Sequence, residues 1–151
     1  MKILDVTAGP RGIWFNKHDP LATYCDIRPE VKPDRVCDVR SLPFGDKSYD
    51  LVVFDPPHCN FSEKAEMAKT YGHHTIQDIR LIITKGSSEI ARVLKDTGFL
   101  LFKWNDHDGD SLSKILTALS DFRPLFGQRV AVRTKHASST YWVCLVKRSV
   151  A

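Results

Sequence analysis

Long apolar runs are missing from this 151-residue chain, and none approaches the roughly 20 residues that a membrane-spanning helix needs, so no membrane association is expected. Cysteine is sparse and scattered: Cys25, Cys37, Cys59 and Cys144 form no CxxC pair, which argues against a disulfide framework or a zinc ribbon. His58-Cys59 with His73-His74 fits no standard zinc-ligand spacing, so no metal is expected. Repeats, linkers and low-complexity segments are lacking too, which leaves one domain over residues 1–151 and no room for a separate target-recognition domain. Met1-Lys2 runs at once into a strand pattern, so a signal peptide is not expected and a cytoplasmic location is. What remains is an ordinary globular composition, 42% hydrophobic and 26% charged. The net charge of +4 is small but uneven. Residues 123–148 carry Arg123, Arg129, Arg133, Lys135, Lys147 and Arg148 with no acid among them, a distribution that suits a polyanionic partner.

The most informative stretch is Tyr49-Asp50-Leu51-Val52-Val53-Phe54-Asp55-Pro56-Pro57-His58. Leu51 to Phe54 read as a fully buried strand. An acid and two prolines follow abruptly. Proline cannot donate to a sheet ladder and holds the residue before it extended, so the chain must leave the sheet at Asp55. That places a carboxylate and the next carbonyls stiffly at the strand's C-terminal rim, where open parallel sheets bind ligands. An acid, a rigid Pro-Pro and a ring at His58 make a claw for a planar group bearing N–H donors. Taken alone, the tripeptide is also ordinary strand-ending punctuation.

The rest of the chain supplies context. Residues 2–6 read as a first strand, followed by the small-residue loop Thr7-Ala8-Gly9-Pro10-Arg11-Gly12, which lets backbone approach a ligand without forming a GxGxxG. Ile13 to Lys17 are expected to form a truncated first helix with core-facing aromatics, stopped by Pro20. Residues 22–26 and 35–39 read as strands, each with an acid at or near its end, joined by a loop through Pro29 and Pro33 rather than a helix. Leu42 to Asp46 form a turn with an apolar plug, and residues 59–75 a polar flap with one helical turn around Glu63 to Ala68. Ile79, Ile82, Ile83, Ile90, Val93 and Leu94 recur at helical spacing, with a bend at Gly86 and a stop at Gly98. Phe99 to Trp104 read as the fifth strand, and Asp110 is placed to cap a helix carrying Leu112, Ile115, Leu116 and Leu119. Strands at 129–133 and 141–146, joined by the basic turn 134–140, complete about seven. The class is α/β, a mainly parallel sheet with abbreviated first helices and a closing antiparallel hairpin.

Asp5, Asp26, Asp38 and Asp55 share one rim if that sheet is parallel. Each alone is an ordinary cap or turn former. Together with the glycine loop they stand in the order a nucleoside ligand needs: loop to polar tail, Asp26 to ribose hydroxyls, Asp38 and the next N–H to an adenine edge, Asp55 to the reacting group. Over nearly its whole length the chain resembles the class I S-adenosylmethionine-dependent methyltransferases, whose sheet is Rossmann-like. Leu4-Asp5-Val6-Thr7-Ala8-Gly9 resembles their first motif, with Pro10-Arg11-Gly12 in place of a simpler Gly-x-Gly. Asp26 resembles the ribose-binding acid and Asp38-Val39 the adenine-binding pair. Asp55-Pro56-Pro57-His58 resembles the (Asp/Asn/Ser)-Pro-Pro-aromatic motif, often Asp-Pro-Pro-Tyr, of enzymes that methylate amines of nucleic-acid bases. The Phe-Asp-Pro-Pro-His, Phe-Lys-Trp-Asn and Pro-Leu-Phe-Gly segments are similar to small methyltransferase-like proteins from bacteria and their phages.

The resemblance implies S-adenosylmethionine as cofactor, held by Asp5, Thr7, Ala8, Gly9, Asp26, Ile27, Asp38, Val39 and Asp55, and a catalytic claw of Asp55, Pro56, Pro57 and His58. It implies methylation of an exocyclic amine in DNA or RNA, with adenine N6 favoured by the Asp-led motif. Methylation of a small molecule or protein, and a non-catalytic scaffold that binds the cofactor, are the alternatives. His58 departs from the usual Tyr, Trp or Phe that stacks on an extruded base. Substrate contacts are expected from Lys103, Trp104, Asn105 and Lys135, with Lys103 equally readable as a stem lying along the Trp104 ring. Target specificity falls to the flap, to a partner subunit or homodimer, or to a structured RNA.

Overall fold

The computed structural model describes residues 1–57, 74–106, 111–130 and 138–148. Seven strands form one sheet: β1 (Ile3–Asp5), β2 (Ala22–Asp26), β3 (Arg35–Val36), β4 (Tyr49–Phe54), β5 (Leu94–Asn105), β6 (Phe122–Arg129) and β7 (Thr140–Lys147), in the order β3-β2-β1-β4-β5-β7-β6. The described helices are α1 (Ile76–Val93) and α2 (Leu112–Ala118), with a 3-10 turn at Pro29–Val31. β1 lies parallel to β2 and to β4, β2 to β3, and β4 to β5. Only β7 runs against its neighbours, pairing antiparallel with β5 and β6. The expected mainly parallel sheet with an antiparallel close is therefore present. Strand order reverses between β1 and β4, and this switch point is where open α/β sheets carry ligands.

The apolar run of β4 is central and needs cover on both sides, which explains its lack of alternation. Val52, Val53 and Phe54 are buried, and Phe54 meets Phe102 of β5 with ring centroids 5.7 Å apart. Helix α1 starts at a capping box in which Thr75 Oγ1 accepts the Asp78 N–H and the Asp78 carboxylate accepts the Thr75 N–H. Its Ile79, Ile83, Ile90 and Val93 enter the core. Gly86 sits at the contact with the sheet, where a Cβ would lie 3.1 Å from Val39 Cγ2. Glu89 accepts the Leu42 N–H and Arg92 donates to the carbonyls of Leu42 and Phe44, so α1 also pins the plugged turn before β4.

Several boundaries differ from the sequence expectation. No helix forms over Ile13 to Lys17, which pass through turns. Gly9 and Arg11 have φ of 50° and 59°, a left-handed start that no helix continues. The Arg11 guanidinium turns inward, 4.0 Å from the Tyr24 ring centroid, and donates to the Lys17 carbonyl and to Asp34. The loop is thus wound around a buried cation. Phe15, expected in the core, is fully exposed. β3 ends at Val36, and Asp38 instead bridges Ser41. Helix α1 ends at Val93 and passes directly into β5, so Gly98 does not stop it. Gly98 lies in the strand, where a Cβ would come 2.7 Å from Leu94 Cδ1 and 2.9 Å from the Asp50 carbonyl.

The sixth strand lies at Phe122–Arg129, ahead of the expected 129–133, with residues 131–133 outside the described set. Pro124 concealed it. A proline is tolerated here because β6 is an edge strand with an irregularity between Pro124 and Phe126. The N-cap of α2 is Ser111, and its Leu112 N–H donates to Asp106; Asp110, the expected cap, lies outside the described residues, as does the flap through His73 with its expected helical turn. No helix among the described residues is long and apolar enough to cross a membrane.

Candidate functional site

The site is built from the loop that follows β1. Residues Val6 to Gly9 are stitched to both neighbouring strands: Val6 N–H donates to the Val53 carbonyl and Ala8 N–H to the Cys25 carbonyl. Thr7 Oγ1 accepts the Asp55 N–H at 2.9 Å, and Gly9 N–H donates to Asp26 Oδ2 at 2.8 Å. The chain leaving β4 and the acid ending β2 are therefore both anchored to one short loop. Parallel register (Asp5 opposite Tyr24 and Val53) puts Asp26 and Asp55 two residues further on, at the same end of the sheet. The expected common rim holds for Asp5, Asp26 and Asp55, and for Asp38, which lies two residues past Val36, the partner of Asp26.

Asp5 is 1% exposed and accepts the Trp14 indole N–H at 2.7 Å and the Thr7 N–H at 3.2 Å. Burial pushes its carboxyl up to about 6 despite those two bonds, and the charges of Asp55 and Asp26 add to the rise. Asp26 is equally enclosed, at 4% exposure. Burial also works against its charge, but hydrogen bonds from Arg28 and Gly9 outweigh this and hold the carboxyl below its ordinary value. Arg28 donates its own N–H and Nε to Oδ1, both at 2.9 Å, and Nη2 to Oδ2 at 3.1 Å. Asp38 follows β3, whose Val36 is opposite Asp26, and so leaves the sheet at the same end. Hydrogen bonds from Arg40 hold its carboxyl down, and Val39 beside it is buried against Gly86.

At the end of β4, Asp55 Oδ2 accepts Lys103 Nζ at 2.7 Å, with about a fifth of each side chain exposed. Register explains the pair: Phe54 is opposite Phe102, so Asp55, just past β4, stands beside Lys103, still within β5. On its other flank Lys103 is opposite Trp142 of β7, with Nζ 5.9 Å from the indole centroid. Lys103 is therefore neither lying along Trp104 nor extended to meet a phosphate. Trp104 points to the other face, 2% exposed and stacked near-parallel on Phe102. Packing thus replaces the substrate contact expected of Trp104. Asn105 shares the Lys103 face and donates to Thr140 Oγ1 at 2.8 Å. Pro56 is buried, Pro57 half-buried and Ile27 58% exposed. His58 and Lys135 lie outside the described residues.

Arg28, Trp14 and Trp142 are site residues that sequence reasoning missed. Arg28 had a local signal. Asp26-Ile27-Arg28 and Asp38-Val39-Arg40 share an Asp-x-Arg pattern, and in both the carboxylate accepts the N–H two residues on and the same residue's guanidinium. Trp14 and Trp142 had none, because each reaches the site only through the folded loop or the strand pairing.

The donor set fits a nucleoside. An acid at the end of β2 suits a ribose diol in exchange for its Arg28 bonds, and Gly9 gives close backbone approach. Neither a protein-family model nor a curated protein matches the sequence. Solved structures do. A TehB-like S-adenosylmethionine-dependent methyltransferase from Corynebacterium glutamicum superposes with a TM-score of 0.65 at 14% identity, over 97% of this chain and 80% of that one. The N-methyltransferase NodS of Bradyrhizobium japonicum, in complex with S-adenosyl-L-homocysteine, gives 0.66 at 12% identity over 98% and 78%. The Burkholderia thailandensis 1,6-didemethyltoxoflavin-N1-methyltransferase, with that compound and S-adenosylhomocysteine bound, gives 0.61 at 17% over 97% and 71%. The likeness at such identities is one of architecture, and the chain has the Rossmann-like class I methyltransferase fold.

Proposed function

We propose that this protein is an S-adenosylmethionine-dependent N-methyltransferase acting on an exocyclic amine of a nucleic-acid base, with adenine N6 the favoured acceptor. The observation that carries the reading is the placement of Asp55-Pro56-Pro57. This segment leaves β4 at the switch point, with its backbone bonded to the glycine loop through Thr7 and its carboxylate close enough to Asp5 to raise that group's pKa. Asp26, Asp5 and Thr7 to Gly9 are the residues that would hold the cofactor, with Ile27, Asp38 and Val39 at the adenine end. When bound, the cofactor supplies a methyl group on a sulfonium.

The acceptor side follows from the claw. A base amine is a poor nucleophile because its lone pair is delocalised into the ring. Asp55 and the Pro56 carbonyl, accepting its two N–H bonds, pull the nitrogen toward tetrahedral geometry and stabilise the positive charge that develops on it. Alignment in the cleft supplies much of the remaining acceleration. The product nitrogen then releases a proton, for which Asp55 is the nearest acceptor. Lys103 constrains this scheme, because an ammonium held on Asp55 opposes a second positive charge there. It must leave as the amine arrives, and a backbone phosphate of a polynucleotide is a suitable new partner. A partner subunit or second copy supplying target specificity is part of the proposal.

The test is incubation of DNA and RNA with isotopically labelled S-adenosylmethionine, followed by mass spectrometry of the released nucleosides. Labelled N6-methyladenosine or its deoxy form is expected, with transfer abolished in Asp55→Ala. Transfer only to small amines or protein would overturn the acceptor class. That second reading draws on the bound small molecule of the Burkholderia thailandensis structure. Cofactor binding without transfer to any acceptor would leave the scaffold alternative.

A further inference from the structure

The acid at the end of β2 is already saturated by its own chain. An ionised carboxylate offers about four lone-pair positions. In Asp26 they receive four donors: the Gly9 N–H and Arg28 Nη2 on Oδ2, and the Arg28 N–H and Nε on Oδ1. Two of these are backbone groups fixed by the loop and the strand end. The other two belong to one guanidinium. Its side chain is 21% exposed, and Nη2 lies 3.4 Å from where a Cβ on Gly9 would sit, so the group lies over the loop that must approach a ligand.

A ribose diol needs the same thing the guanidinium now has, two acceptor positions on one carboxylate. We propose that Arg28 is an intramolecular competitor for the ribose site and thereby sets cofactor affinity, a role that rests on the cofactor assignment above. Ligand entry exchanges two guanidinium N–H bonds for two hydroxyl bonds and leaves the backbone pair in place. The guanidinium rehydrates at the rim, since arginine keeps its charge in water at little cost. The competition also has a charge component, because a cation resting on the rim disfavours a sulfonium ligand. Affinity in such a site is lowered by the fraction of molecules in which the competitor is docked. The opposite assignment, Arg28 as a direct contact to bound ligand, predicts the reverse effect of removing it.

Isothermal titration of S-adenosylhomocysteine into the wild type, Arg28→Met and Arg28→Lys separates the two, with melting temperature read in parallel. Arg28→Met is expected to bind about tenfold tighter, as for removal of a competitor docked in roughly nine molecules of ten. Without ligand it should melt at a lower temperature, since Asp26 loses its counter-ion. Arg28→Lys should fall between, because lysine keeps the charge without the fork, and it carries the test if the methionine variant does not fold. Unchanged or weaker binding in the variants overturns the proposal while leaving the cofactor assignment intact. No binding to any of the three proteins overturns both.

Discussion

Single carboxylates at strand ends do most of the local work in this protein, and they do it with one repeated device. Asp5, Asp26 and Asp38 each accept the backbone N–H two residues on, which turns the chain out of the sheet and stiffens the acid at the rim. The differences lie in what else each meets. Among the described residues no cation pairs with Asp5, and burial raises its pKa from 3.8 to about 6. Between those values the folded chain holds a proton that the unfolded chain has lost. The stabilisation is therefore complete below about pH 4 and disappears as pH rises through 6, a change on the order of 3 kcal/mol. Asp5→Asn should remove that fall, measured by urea denaturation at steps from pH 4 to 7; parallel curves for the two proteins would assign the titration elsewhere. Lys103 is a second test. If it moves from Asp55 to a phosphate, Lys103→Met should weaken oligonucleotide binding and reduce the salt slope by about one ion. An unchanged slope would leave Lys103 as a partner of Asp55 alone.

A glycine inside β5 and one inside α1 separate two kinds of packing constraint. Gly98 faces backbone: the carbonyl of Asp50 would be 2.9 Å from an added Cβ, with Leu94 closer still. Backbone cannot yield as a side chain does, so Gly98→Ala should destabilise by about 1–3 kcal/mol. Gly86 faces the ends of Val39 and Phe54 at 3.1–3.5 Å. A few tenths of an ångström of side-chain movement accommodates alanine there, and the gain of about 1 kcal/mol in helix propensity offsets it. Gly86→Ala should thus lie near neutrality, measured by denaturant melts of both variants side by side. The capping box of α1 matters for position as well as stability, because the same helix ties down the turn preceding β4 through Glu89 and Arg92. Thr75→Ala should cost about 1 kcal/mol in the same assay.

Across the sheet, function depends on the strand order. β1 stands between β2 and β4, so one loop of four residues can hold the ends of both neighbours. A ligand spanning those ends would bind the native state and not the unfolded chain. Saturating S-adenosylhomocysteine, at about a hundred times its Kd, should then stabilise the protein by about 2.7 kcal/mol, read as a rise in melting temperature. Asp26→Ala should abolish most of that rise, and retention of the full shift would place the ligand elsewhere. The basic C-terminal stretch bears on the same scale of question. Its Arg123 and Arg129 stand on the exposed edge strand β6, away from the core.

Features governed by a few consecutive residues were legible from the chain alone. The apolar run of β4, the forced exit at Asp55-Pro56-Pro57, the amphipathic face of α1 and the acid after each early strand all follow from proline geometry, burial pattern and turn chemistry acting within a turn or two. Tertiary pairing decided the rest. Whether Trp104 or Lys103 faces the site depends on which side of β5 meets the core; the inward turn of Arg11, which displaced the expected helix, depends on Tyr24 and Asp34 being near in space. The cations on Asp26 and Asp55 follow the same division. Arg28 reaches its acid along two residues of chain, whereas Lys103 reaches Asp55 only because two strands distant in sequence lie side by side in register, and no local pattern encodes that pairing.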